Sequence, residues 1–310
     1  MMKGLELSEE YYRAVGAEMI EARFPDYKER IAVGLAGLGS ECFGFDDEYS
    51  RDHDWGPAFC MWLEKNDHET IGSCLQEAYD ELPAQFMGFE RKKSRWGDGR
   101  VGALSTGAFY ASFIGLATAP ETYHQWLTIP EANLAACSNG KVFHDPLGQF
   151  SSIRENIRQH YPEDVRLKKI AARCMTAAQA GQYNYRRCRQ RQANYPAHHS
   201  LVTFCHDILA LVFLLNRRFM PYYKWSCRTA ETLPILGMEI ARSVEALISM
   251  GDSGDREELI ECMCGRVIEL LRAQGLSDST SDFLLDHGPR VHSLIRDDDL
   301  KRIDLWWVGG

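Results

Sequence analysis

Long apolar runs are missing from this chain. The longest, Ile31 to Leu38 and Ile208 to Leu215, fall far short of the roughly 18 residues that a membrane-spanning helix requires, so no bilayer crossing is expected. Residues 1–13 interleave Lys3, Glu6, Glu9 and Glu10 with apolar side chains and lack the apolar stretch and small-residue cleavage site of a secretory signal, which makes the cytoplasm the expected compartment. No C-x-x-C pair occurs among the ten cysteines. Scattered through apolar surroundings from Cys42 to Cys264, they read as reduced, buried thiols. Cys262 and Cys264 form a single C-x-C, but in a helical segment they point about 200° apart and make a poor metal clamp. Positive charge is also in deficit: 35 Lys and Arg face 44 Asp and Glu, a net charge of −9. That balance disfavours a general nucleic-acid or anionic-membrane binder, so any polyanionic partner must be met locally.

What remains is a soluble-type composition, 45% hydrophobic and 25% charged over 310 residues, enough chain for about two domains. Ser8 reads as the N-cap of a helix whose apolar positions Tyr11, Val15, Met19 and Ile20 recur at helical spacing before Pro25. Ile31 to Leu38 reads as a buried strand opening into a tight Gly-Ser turn, and Asp52 to Leu63 as a second strand interrupted by Gly56 and Pro57. Asp67 to Leu82 has helix composition. Val101 to Ser105 and Gly140 to Phe143 are further strand candidates. From Phe150 onward helical periodicity replaces short strands. The predicted class is therefore α+β, a mixed-sheet domain over residues 1–150 followed by an all-helical bundle over 151–310.

One stretch, Gly37 to Leu63, carries most of the chemistry. Gly39, Ser40 and Gly44 form a G-S-x-x-x-G turn whose backbone N–H groups and small hydroxyl suit the close approach of phosphate. Asp52 and Asp54 follow. On a strand, residues two apart share a face, so the two carboxylates would stand side by side, as a hard divalent cation such as Mg²⁺ (or Mn²⁺) prefers. Strand, phosphate turn and carboxylate pair together point to a nucleotide-phosphate site.

This pattern resembles the nucleotidyltransferases of the DNA polymerase beta superfamily, whose signature is a G-S turn followed about a dozen residues later by D-x-D or D-x-E. It is closest to the kanamycin-type nucleotidyltransferases and to uncharacterised bacterial nucleotidyltransferase-like proteins. The phrases that carry the likeness are GSECFGFDDEYSRDHDWGP, AGQYNYRR (Ala180 to Arg187) and PYYKW (Pro221 to Trp225). The resemblance implies a transferase domain and a helical domain with the active site in the cleft between them. Gly39 and Ser40 would bind the triphosphate of an NTP, with ATP as the expected donor, and Asp52 and Asp54 the metal. The implied reaction is in-line attack of an acceptor hydroxyl, on a small molecule or a protein, at the α-phosphate with release of pyrophosphate. The family's third carboxylate on a later strand has no counterpart in Val101 to Ser105. Asp98, Glu90 and Asp145 are candidate substitutes, and Glu163 is a candidate general base. A catalytically silent nucleotide or ligand sensor on the same scaffold is the alternative.

Arg186, Arg187, Arg189 and Arg191 follow Gln182, Tyr183, Asn184 and Tyr185. At helical spacing Gln182, Arg186 and Arg189 share a face that suits phosphate, and Arg186 and Arg187 are the candidate nucleotide contacts. The same residues fit a nucleic-acid patch with interleaved tyrosines, which the overall acidity disfavours. Lys224, beside Trp225, is a candidate partner for the leaving pyrophosphate, with Lys168 and Lys169 weaker candidates of the same kind. His53-Asp54, His144-Asp145 and His206-Asp207 raise a metal-dependent phosphohydrolase as a rival class. The sequence is compatible with a homo-oligomer.

Overall fold

The computed structural model describes residues 2–51, 54–91, 99–251 and 255–309, and its architecture is α+β. In chain order, α1 (Gly4–Tyr11) passes through a π-helical turn (Tyr12–Gly16) into α2 (Ala17–Arg23). Then come β1 (Ala32–Leu35), a 3₁₀ turn (Ser40–Phe43), β2 (Cys60–Leu63), α3 (Lys65–Asp80), and a small hairpin of β3 (Gln85–Phe86) and β4 (Phe89–Glu90). They are followed by β5 (Gly102–Ser105), α4 (Thr106–Ile114), α5 (Tyr123–Thr128), α6 (Glu131–Ser138) and β6 (Lys141–His144). Beyond β6 every described element is helical: α7 (Gln149–Arg158), α8 (Glu163–Ala178), a π-helical turn (Gln179–Tyr185), α9 (Arg186–Gln190), α10 (Asn194–Leu215), α11 (Tyr223–Ala230), α12 (Gly237–Ser249), α13 (Asp255–Ala273), α14 (Gly288–Ser293) and α15 (Asp298–Arg302).

The chain divides into two compact units. The first comprises residues 1–120 and 133–159, the second residues 121–132 and 160–310. A single cut near residue 150 differs from this division in that α5, whose start is fixed by a Thr122/Gln125 capping box, clusters with the helical unit.

In the first unit the sheet order is β5-β2-β1-β6, with β1 antiparallel to both neighbours and β2 parallel to β5. β1 and β2 are buried at all four positions each, because side chains pack on both faces of the sheet. One face meets Tyr11, Phe59, Tyr79 and Leu75. On the other, the Trp62 ring stacks on Phe150 at 3.7 Å and meets Phe109 edge-on at 5.5 Å.

Two local readings are corrected here. Ser8 does not cap a helix. It lies inside α1 and donates to the Ala58 carbonyl at 2.5 Å, while the helix start is capped from a distance, the Gly4 N–H donating to Asp46 Oδ2 at 2.8 Å. The strand read from Asp52 begins only at Cys60. The last pairing of β2 with β1 is Cys60 with Gly34, and the described residues from Asp54 to Phe59 lie outside β2, although the Phe59 carbonyl still accepts from the Gly102 N–H at 2.9 Å. Pro57 also has no N–H to give.

In the second unit α8 is central. It buries Arg166, Lys168 and Lys169 along with its apolar residues, and α10, buried from Ile208 to Leu215, packs against it. The buried lysines are satisfied by the last residues of the chain: Lys168 Nζ donates to the Trp307 carbonyl at 2.5 Å and Lys169 Nζ to that of Val308 at 3.3 Å. Burial depresses the Lys168 ammonium to about 8. His160, 4% exposed, stacks on Phe219 with ring centres 4.6 Å apart, and burial drives its imidazole down to about 3.

A base depressed by folding stabilises the native state above its unfolded pKa and loses that contribution as pH falls toward its folded value. His160 should therefore contribute a fall in melting temperature of several degrees as pH drops from above 6.5 toward about 3. In His160→Phe, which keeps the aromatic stack, the acid limb of a melting-temperature profile should be shallower. An unchanged limb would remove His160 as its source.

Candidate functional site

A cavity of about 840 Å³ lies in the first unit, and the described residues that line it all belong to that unit. Its size is that of a small-molecule site. The end of β1 and the following turn contribute Leu35 to Leu38, Glu41 and Cys42, and the approach to β2 contributes Asp54, Trp55 and Gly56. β5 and α4 add Leu104, Ser105, Phe109 and Phe113, and Arg91 and Arg100 bring positive charge. Aromatic walls with a few acids and two guanidiniums suit a ligand with a flat apolar part and an anionic part.

The turn after β1 is held from two sides. Asn139 clamps Gly37, accepting from its N–H at 2.9 Å and donating to its carbonyl at 2.7 Å. Gly140 N–H donates to the Cys42 carbonyl at 3.0 Å. Asn139 and Gly140 are in turn gripped by the nearly buried Arg154, which donates to both carbonyls at 3.0 and 2.8 Å. A 3₁₀ turn then starts at Ser40, with Gly39 at its N-cap.

The carboxylate of Glu41 folds back onto this turn. A Cβ on Gly39 would lie 2.0 Å from Glu41 Oε1 and 2.6 Å from Oε2, so any side chain there would have to displace the Glu41 carboxylate. Ser40 Oγ lies 3.5 Å from Oε2. Glu41 is 8% exposed, and its carboxyl is raised above the usual range chiefly by burial, against which its own backbone N–H and the charge of Arg100 act. The face of the Gly39–Ser40 turn assigned to phosphate is thus covered by the protein's own carboxylate, and neither Gly39 nor Ser40 lines the cavity.

Asp54 does line it. It sits in a bend with φ +50°, not on a strand, a backbone region that non-glycine residues enter rarely. Its carboxylate is 3.7 Å from Arg100 Nη1. The neighbouring Trp55 is pinned: its Nε1–H donates to buried Asp46 at 3.2 Å, and the Arg51 guanidinium lies 4.5 Å over its ring. Asp46, which also caps α1, therefore ties the Asp54 segment to the first helix. Asp52, read as the partner of Asp54, lies outside the described residues, as do His53 and Asp98.

β5 is indeed the strand beside β2, and it carries no carboxylate. Glu90 is exposed on β4, and Asp145 accepts from the Ser151 N–H at 2.8 Å. Among the described residues, the acids that face the cavity are Glu41, Asp54 and Asp80. Among the described residues no group of three or more His, Cys, Asp and Glu is arranged to hold a metal.

The remaining candidates belong to the second unit. Glu163 makes a poor base: Arg166 bonds to it at 2.6 and 3.0 Å and Arg217 approaches to 2.7 Å, and the Arg166 hydrogen bonds lead in holding its carboxyl below the usual range. Arg186 is exposed, 3.5 Å from Glu257. Arg187 lies over the Tyr183 ring at 4.7 Å. Gln182 is turned inward, donating to Glu261 at 2.6 Å and accepting from Leu284 N–H at 2.9 Å. Lys224 rests over its neighbour Trp225, Nζ to ring centre 5.2 Å. Asp207 is buried and pairs with Arg173, whereas its neighbour His206 is exposed.

The residues that the sequence reading passed over are Glu41, Arg91, Arg100, Asn139 and Asp46. Glu41 had a local signal, a carboxylate directly after Gly-Ser. The others reach the site only through tertiary folding.

In comparison with known proteins, a family model described as "Domain of unknown function (DUF4037)" matches residues 126–226. No curated protein matches the chain. Among solved structures, the chain is similar to a nucleotidyltransferase-like protein from Exiguobacterium sibiricum 255-15, with 10% identity, a TM-score of 0.39, and coverage of 94% of this chain and 80% of that one.

Gly39→Ala should push the Glu41 carboxylate off the turn and destabilise the first unit by about 1–3 kcal/mol, the usual cost of overpacking. The double change Gly39→Ala/Glu41→Ala should recover most of that loss, giving a favourable coupling energy in a denaturant double-mutant cycle. Additive losses would show that the contact is unimportant.

Proposed function

We propose that the cavity of the first unit binds a nucleoside triphosphate, with ATP the expected donor, and that the protein transfers its nucleotidyl group to an acceptor hydroxyl with release of pyrophosphate. The observation that carries this reading is the convergence, in one cavity, of the turn leaving β1, the Asp54 carboxylate and Arg100. Trp55, Phe109 and Phe113 offer aromatic surface to a base, and Arg91 and Arg100 offer charge to phosphate.

The donor set suits Mg²⁺ as far as hard oxygen chemistry goes, since that ion is usually held by one or two protein carboxylates, with water and substrate phosphate completing its shell. Asp54, together with Asp52, would hold it. Such an ion supplies charge neutralisation at the attacking and leaving oxygens. The chain's own residues do the rest. Arg100 exchanges its pairing with Asp54 for phosphate oxygens, Gly39 and Ser40 accept phosphate once Glu41 turns aside, and the Asn139 clamp keeps the turn in register. The acceptor, whether a small molecule or a protein hydroxyl, enters beside the α-phosphate.

A second reading, a nucleotide or ligand sensor without turnover, is favoured by one observation: β5 carries no carboxylate where a third would stand. Pyrophosphate release from ATP and a mixed pool of hydroxylated acceptors separates the two, since binding without release leaves the sensor.

Asp54→Asn should weaken ATP binding in the presence of Mg²⁺ by roughly 10-fold or more, the cost of losing a charge-assisted contact, and should leave the melting temperature almost unchanged. Isothermal titration with and without EDTA checks it. Wild-type affinity in the variant, still Mg²⁺-dependent, would sink the assignment.

A further inference from the structure

Against a net charge of −9, residues 165–206 contain eight Lys or Arg and no Asp or Glu. Four of these cations, Arg166, Lys168, Lys169 and Arg173, are consumed inside the second unit: Arg166 on Glu163, the two lysines on terminal carbonyls, Arg173 on Asp207. The other four, Arg186, Arg187, Arg189 and Arg191, fall on α9 and the residue just after it, of which Arg186, Arg187 and Arg191 are exposed.

Aromatic rings flank them on the surface. Tyr183 is 48% and Tyr195 83% exposed. Arg187 lies over the Tyr183 ring and donates to its hydroxyl at 2.8 Å, which holds a guanidinium and a ring as one flat unit. Tyr195 is stacked with exposed His199 at 6.4 Å between centres and 23° between planes. Two acids of α13 border the strip among the described residues: Glu257 faces Arg186 at 3.5 Å, both side chains being partly in solvent, and Glu261 is taken by Gln182.

We propose that this strip, from Tyr183 to His199, is a docking surface for single-stranded nucleic acid. The exposed guanidiniums of Arg187 and Arg191 supply phosphate contacts, and the exposed Tyr183 and Tyr195 rings supply stacking platforms for bases. The strip is not part of the cavity of the first unit, and the proposal does not rest on the transfer reading.

The test is fluorescence anisotropy of the full-length chain with a labelled oligouridylate of about 20 nucleotides, without metal or nucleotide. Binding is expected at low salt, weakening by roughly 20-fold between about 50 and 200 mM KCl if three phosphates are contacted. Arg187→Glu/Arg191→Glu should weaken it at least tenfold with an unchanged melting temperature. Tyr195→Ala should weaken it by about fivefold or more while leaving the affinity for heparin, a polyanion without bases, unchanged. Three results would overturn the proposal: no binding at about 100 μM protein, wild-type affinity in the arginine double variant, or equal effects of Tyr195→Ala on heparin and oligonucleotide. The last would leave a simple charge patch.

Discussion

The burial of β1 between two antiparallel partners constrains everything around the candidate site. All four of its residues are enclosed, with β2 on one edge and β6 on the other. The space is so tight that a Cβ on Gly34 would lie 2.4 Å from the Lys141 carbonyl and 2.9 Å from the Trp62 ring. A strand this short and this enclosed has one register, since a slip by one residue would drive the Gly34 position into that carbonyl. Its exit point is therefore fixed, and the turn from Ala36 to Cys42 starts from a rigid base. β6 then adds the second half of the support, because Asn139 and Gly140 immediately before it bind back to Gly37 and Cys42. Sequence separation of about a hundred residues becomes direct contact at the turn.

Charge burial follows a common rule in both units, with different outcomes. A buried charge must find a partner or lose its ionisation. In the second unit, Lys168 and Lys169 meet carbonyl oxygens, and burial depresses both ammonium groups although Asp304 and Glu131, the latter 4.0 Å from Lys169, act in the opposite direction. In the first unit, Glu41 meets its own backbone N–H and the Ser40 hydroxyl, with Arg100 acting from a distance. The partial satisfaction leaves its carboxyl raised. Asp54 is paired directly with Arg100. One guanidinium thus acts on two acids that line the same cavity.

The periodicity of the sequence was enough for the broad architecture. The apolar run from Ile31 became β1, Val101 to Ser105 became β5, and the segment after residue 150 became helices, because hydrophobic spacing reports directly which faces are buried. What local pattern could not supply was the partner of each segment. Asp52 to Leu63 has the composition of a strand, but of its described residues only Cys60 to Leu63 form one, and Asp54 sits in a bend. Ser8 looked like a cap because the sequence near it is helical, whereas the true cap, Asp46, lies 42 positions away. Cavity membership of Glu41 and Asp54 is a matter of a few residues around one motif. That of Arg91 and Arg100 depends on how the chain returns past α3, and no spacing rule connects them to Gly39.

The position of Glu41 changes what the Gly-Ser turn means. A phosphate turn read from sequence is an open set of donors waiting for an anion. Here the donors already face an anion, tethered one residue away and therefore at high effective concentration. On the proposed reading, an incoming triphosphate competes with that carboxylate, and its advantage lies in greater charge and in the charge neutralisation that Asp54 helps to organise. Raising the carboxyl of Glu41 works in the same direction, since a proton taken up by Glu41 weakens its hold on the turn. A glycine that sequence analysis explains by phosphate is thus explained equally by a neighbouring side chain, and the two explanations are linked: the space that Gly39 leaves for Glu41 is the space a phosphate would need.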